Sequence, residues 1–339
     1  MQASRRNIAA PRSTTPPWLY GFARTGINPV PELLPSLAWE AGNSMEDLKF
    51  IDVGTTRYGF YAAAEEEGEL YRNIGYVSTP IASYPSGFTK HATPVISRNT
   101  QEGIDDTLIS APVPVMFNPD LYRVYYHAHN GTPKEFTCCA SATAAQFPDT
   151  LTKYASNPVF DVGSGWESAD VRGEIIVPSR LAPDGKDHMI YAGNSAVQDA
   201  GFQGGHATAT DDGLTWSRDA ANPVLPLGPA WSWYRTSFHP VGGWIKANGI
   251  FYFFFQGFDG TAWRIGVFQT ADFVTFTVWP SPVYSLGAAG EWDSDTVENP
   301  GVVYDEAAGT VDLWPTCNSN YGTMTYKFGF ARATGQVAP

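Results

Sequence analysis

Asn157-Pro158-Val159-Phe160 is one copy of a marker that recurs along the chain. The others are Asn28-Pro29-Val30, Thr93-Pro94-Val95-Ile96, Asn222-Pro223-Val224-Leu225 and Ser281-Pro282-Val283-Tyr284, with prolines 65, 64, 65 and 59 residues apart. Two more markers keep that period. One is an aromatic strand running into small residues, at 58–62, 124–128, 189–193, 251–257 and 311–314. The other is a short alternating strand, at 73–78, 137–141, 205–210, 264–270 and 326–332. Each unit is too short to bury a core alone and holds about four strand candidates between Gly, Pro and Asp turns. That is the signature of a β-propeller blade. Five copies predict an all-β, five-bladed β-propeller.

Closure of the ring is also legible. Tyr20-Gly21-Phe22-Ala23-Arg24-Thr25-Gly26 echoes Phe328-Gly329-Phe330-Ala331-Arg332-Ala333-Thr334-Gly335. An N-terminal strand completing the last blade removes the edges at which the ring would part. Residues 18–339 then form one domain. Residues 1–17 read as an extended, Pro-rich basic arm, either a loose end or a tether to an assembly partner.

Composition excludes several classes. With 43% hydrophobic and 14% aromatic residues in 339, the chain can bury a core and is not disordered. The 33 Gly and 26 Pro argue against a helical bundle. A net charge of −13 repels phosphate backbones, so nucleic acid is not expected as a partner. The three cysteines imply no disulfide framework. The densest apolar run, residues 250–255, is far short of a membrane span. Ser4-Arg5-Arg6 is not followed by the apolar region of an export signal. The expected location is the cytoplasm or a larger particle.

In a propeller the first strand of each blade lines the central channel, and its start faces the ligand funnel. These strands are expected at 48–53, 107–115, 170–177, 235–241 and 296–303. They and the turns before them carry Asp52, Asp105, Asp106, Asp170, Arg172, Glu174, Arg235, His239, Asp293, Asp295, Glu298 and Asn299. Carboxylates converging from different blades repel one another and raise some pKa values, the setting for a general acid and base. The same groups are able to cap turns. Their oxygens also admit a structural calcium, although no local loop specifies one; no cofactor is required. A tryptophan recurs before these strands at Trp39, Trp166, Trp231 or Trp233, and Trp292. Inter-blade packing accounts for most of them, with Trp166 and Trp233 the exceptions set to stack on a sugar ring.

Ala209-Thr210-Asp211-Asp212-Gly213-Leu214-Thr215-Trp216 resembles the Asp box of sialidase-type propellers, and Asp272-Phe273-Val274-Thr275-Phe276 is a degenerate relative. Both read as outer hairpin turns. With Gly290-Glu291-Trp292-Asp293 and the blade number, they make the chain similar to the five-bladed propeller glycosidases of glycoside hydrolase family 43 and the invertase and levansucrase families. The resemblance covers about residues 45–333 and implies an oligosaccharide or polysaccharide substrate. It assigns Asp52 as general base, Ala111-Pro112 to blade two, and Asp170 or Glu174 as the residue tuning pKa. Blade four has Ser237-Phe238-His239-Pro240 where the family has Glu-x-Pro, and Glu298-Asn299-Pro300 carries that motif on blade five. The acid is then Glu298 or His239, with Asp106, Arg172, Trp166, Trp233, Arg235, Asp293 and Asp295 around the substrate. The alternative is a non-catalytic recognition or structural propeller held in an assembly by its arm.

Overall fold

The computed structural model describes residues 21–26, 28–66, 72–99, 103–131, 134–196, 201–318 and 325–334. The arm expected at 1–17 lies outside them. β1 (Phe22–Arg24) precedes five antiparallel units. The first holds β2 (Met45–Val53), β3 (Thr56–Ala64), β4 (Arg72–Pro80) and β5 (Thr89–Lys90). The second holds β6 (Leu108–Asn118), β7 (Leu121–His129), β8 (Glu135–Thr143) and β9 (Thr152–Lys153). The third holds β10 (Asp170–Val177), β11 (Asp187–Asn194), β12 (Gln203–Ala209) and β13 (Ser217–Arg218). In the fourth, β14 (Ser237–His239) and β15 (Trp244–Ala247) both pair with β16 (Ile250–Phe258), followed by β17 (Trp263–Thr270) and β18 (Thr277–Val278). The fifth holds β19 (Thr296–Asp305), β20 (Thr310–Asn318), β21 (Lys327–Phe328) and β22 (Ala331–Thr334).

Inner strands neighbour one another around the ring: β2 beside β6, β6 beside β10, and β19 beside β2, with blade four between β11/β12 and β19. β1 pairs antiparallel with β22, Phe22 opposite Ala333 and Arg24 opposite Ala331. The N-terminal strand thus takes the outermost place of the last blade, against the stretch it echoes. Apolar clusters sit between blades. Ile175, Val177 and Ile190 of blade three, for example, pack on Phe238, Phe251, Phe253 and Phe268 of blade four. Burial of β16 on both faces explains its unbroken apolar run.

The repeat markers have local causes. The Asn157 side chain accepts from the Cys139 amide (2.9 Å) and donates to its carbonyl (3.0 Å), imitating a neighbouring strand. Asn222 does the same to His206, and Asn28 to Phe330. The recurrent tryptophans cover glycines of their own blade. A Cβ on Gly75 would meet Trp39, one on Gly193 Trp166, one on Gly266 Trp233, and one on Gly329 Trp292.

Four blades also share a lock of buried carboxylate, tyrosine and cation. These are Glu40 with Tyr61 and Lys90, Asp105 with Tyr126 and Lys153, Glu167 with Tyr191 and Arg218, and Asp293 with Tyr284 and Arg24. At the register of Tyr61, Tyr126 and Tyr191, blade four has Phe255. At the register of Lys90, Lys153 and Arg218, it has Val278. The Asp-box reading holds: Asp211 accepts the amides of Leu214 (3.1 Å) and Thr215 (3.0 Å), and Asp272 those of Val274 and Thr275 (both 2.9 Å). No helix among the described residues is long and apolar enough to cross a membrane.

Candidate functional site

Four inner strands bulge at one register: between Glu46 and Lys49, Ser110 and Val113, Arg172 and Ile175, and Glu298 and Gly301. A bulge places extra residues on one strand and re-aims their side chains. Asp47 (φ 64°), Ala111 (φ 51°) and Asn299 (φ 47°) accordingly occupy the left-handed region, a strained conformation for residues with a Cβ. The strain turns Asp47 inward, where its Oδ2 accepts the Ala111 amide at 2.9 Å. Asp47 is buried, and burial pushes its carboxyl up to about 6, against the opposing charge of Lys49.

Across the channel, Arg172 donates to Asp170 (3.0 Å) and Glu135 (2.8 Å). Glu135 also meets His127 Nε2 at 2.7 Å, and His127 Nδ1 lies 3.1 Å from Ser110 Oγ. Burial works to raise the Glu135 carboxyl, but Arg172 and His127 outweigh it and hold the group well below the usual range. Burial drives Asp170 upward instead. His127, Glu135 and Asp170 gather donor atoms within 4.8 Å of one another. The Arg172 guanidinium already supplies the positive charge there, so the trio does not fit a metal ion. The calcium admitted by the sequence has no fit at this place.

Deeper in the channel, Lys49 Nζ donates to the Asn299 carbonyl (3.3 Å), and the Asn299 amide donates to Gln256 Oε1 (2.8 Å). Gln256 Nε2 donates to His239 Nδ1 (3.2 Å), which leaves the ring proton on Nε2, 3.4 Å from Glu174 Oε1. Glu174 Oε2 is buried without a hydrogen-bond partner among the described residues, and burial pushes this carboxyl up to about 7. Glu174, Lys49 and Asp52 line a cavity of about 300 Å³ that continues along the channel between Pro114, Met116, Ile176 and Trp244.

The structure sorts the residues singled out in the sequence. Arg172 and Glu174 lie near enough to Asp47 to act on its charge, Asp170 is held on Arg172, and Glu298 stands at the blade-five bulge with Oε1 accepting from Thr296. Asp52 stands at the other end of β2, 44% exposed, with both oxygens on Arg57 (2.7 and 2.8 Å). His239 is stacked beneath Phe202 (4.3 Å) and braces Glu174 rather than facing the funnel. Asp293 is fully buried in the closure lock with Arg24 and Tyr284. Trp166 stacks on Tyr191 and Trp233 on Phe255, which places both in blade packing. Asp106 is half-buried beside Thr107 (3.1 Å), and Arg235 and Asp295 are exposed at the funnel rim. The residues missed were Asp47, Lys49, His127, Glu135 and Gln256. Aligning Glu46-Asp47-Leu48 with Ser110-Ala111-Pro112 and Glu298-Asn299-Pro300 brings out Asp47.

The chain matches no protein-family model and no curated protein. Solved structures do match. One, concerned with glycoside hydrolases of the GH130 family of mannoside phosphorylases that target beta-1,2 mannosidic linkages in Candida mannan, aligns with a TM-score of 0.67 at 16% identity over 94% of this chain and 95% of its own. A glycosyl hydrolase from Bacteroides ovatus aligns at 0.69 and 16% over 94% and 95%. A thermostable family-43 glycoside hydrolase aligns at 0.61 and 14% over 88% and 91%. The fold is that of propeller glycoside hydrolases. At such identities the likeness carries the architecture, and the chemistry rests on this chain's own residues.

Proposed function

We propose that the chain cleaves glycosidic bonds at the funnel end of its channel, with Asp47 as the proton-handling carboxyl. The observation that carries this is the strained bulge that buries Asp47 at the channel mouth and raises it to about 6. A group with that pKa is protonated in mildly acid solution and suited to donate to a leaving oxygen. Glu298, half-exposed one residue before the bulge of neighbouring blade five, is the second carboxylate. As the anomeric carbon–oxygen bond breaks, Asp47 passes its proton to the departing oxygen. Water attacks the anomeric carbon and gives a proton to Glu298, an inverting displacement. Arg172, fixed by Asp170 and Glu135, holds a substrate hydroxyl.

The test is a screen of aryl glycosides and oligosaccharides, with and without inorganic phosphate because phosphate competes with water for the attacking position. Asp47→Asn is expected to lose about 10²–10⁴ in kcat/KM, whereas Asp52→Asn stays within a few-fold of the parent. Full activity in both Asp47→Asn and Glu298→Gln overturns this site. Glycan binding without turnover leaves a recognition propeller.

A further inference from the structure

Large apolar side chains exposed among the described residues include Ile81, Leu227, Val274 and, most exposed at 82%, Trp231. They divide by face. Ile81 and Val274 lie in the turns after β4 and β17, at the end of the ring where inner strands finish. Leu227 and Trp231 lie in the connection entering β14, which must arrive on the face where inner strands begin. One loop therefore carries both of the exposed large apolar groups that the described residues place on the funnel face.

That loop is built rather than slack. The Gly228 amide donates to the Tyr234 carbonyl (3.3 Å), Ser232 to that of Pro229 (2.8 Å), and the Tyr234 amide to Ser232 Oγ (3.1 Å). Trp233 anchors it, stacked on Phe255 at 5.1 Å over Gly257 and Gly266. Blade four also departs from the carboxylate–tyrosine–cation lock, with Phe255 and Val278 in its places, so aromatic packing and these backbone hydrogen bonds hold the entry instead. Arg235 is exposed on the same loop, its guanidinium 3.5 Å from the Ser232 carbonyl. An exposed indole and an exposed five-donor guanidinium four residues apart on one held loop suit one occupant: a sugar ring, whose C–H face packs on indole and whose hydroxyls accept from guanidinium. Holding the loop in advance spares the ordering cost of binding.

We propose that Trp231, with Arg235, forms a stacking platform for a sugar unit remote from the cleaved bond, so that the site prefers oligosaccharides to single glycosides. This rests on the glycan-cleaving reading, and the test separates the two. For the sugar that the screen identifies, kcat/KM is measured on its aryl monoglycoside and its tetrasaccharide. The parent is expected to favour the tetrasaccharide. Trp231→Ala is expected to lose about tenfold of that advantage, through KM rather than kcat, and Trp231→Phe to recover most of it. Equal losses on both substrates, no loss on either, or a parent without chain-length preference overturns the platform while leaving cleavage intact. A parent that neither cleaves any glycan nor shifts its tryptophan emission on titration with the tetrasaccharides overturns both.

Discussion

Asp47 and Asp52 share β2 yet meet opposite surroundings. Asp52 is solvated and paired, whereas Asp47 is shut into the channel by a left-handed backbone. If Asp47 is the acid, kcat/KM falls as pH rises through about 6, because the proton it donates is lost. A flat pH–rate profile from pH 5 to 8 counts against that role. The raised carboxyls also carry a stability consequence. Folded Asp47 and Glu174 hold their protons up to about 6 and 7, above their ordinary values of 3.8 and 4.5. The stability this contributes is complete below the ordinary values and is lost as pH rises through the folded ones. Glu174→Gln should therefore raise the thermal midpoint at pH 8, where the ionised carboxylate is buried with no partner for Oε2 among the described residues, and leave it unchanged at pH 4. An equal gain at both pH values would show that charge is not the cause.

At the scale of elements, the repeat is a set of fitted parts. A tryptophan entering each of four blades lies over a glycine, so the small residue is required wherever the indole passes. Gly193→Ala puts a methyl into the Trp166 ring and should cost about 1–3 kcal/mol in denaturant unfolding, as overpacking does. The locks tie each entry to its blade. Tyr126→Phe removes a hydroxyl from Asp105 and is expected to cost about 1 kcal/mol in the same measurement. Blade four breaks this rule at two paired positions together, Phe255 and Val278, which leaves its entry free to carry Trp231 outward.

For the whole molecule the decisive contact is closure. β1 adds the outermost strand to blade five, and Arg24 reaches from it to the fully buried Asp293 at 2.7 Å. Removing the arginine leaves that carboxylate without its cation. Arg24→Ala should lower stability by about 1–3 kcal/mol, less than a fully buried pair would lose because Arg24 is 37% exposed. Removing residues 1–26 should lower the thermal midpoint further, because it opens an unpaired edge on β22. A truncated chain that melts with the parent would mean that β1 does not hold the ring.

The repeat, the blade count, the closing strand and the outer Asp turns were all legible in the sequence, because each depends on local spacing that recurs about every 63 residues. The chemistry was not. The family resemblance led to Asp52 on the first inner strand, and only a register shift with positive φ turns Asp47 to the channel. Glu135 and His127 lie on the third and second strands of blade two, and they meet Arg172 of blade three only once those two blades pack side by side. Sequence by itself determined the architecture, since a strand pattern acts between near neighbours. The tertiary structure alone decided which carboxylates are buried, paired or strained, since those depend on blades brought together from distant parts of the chain.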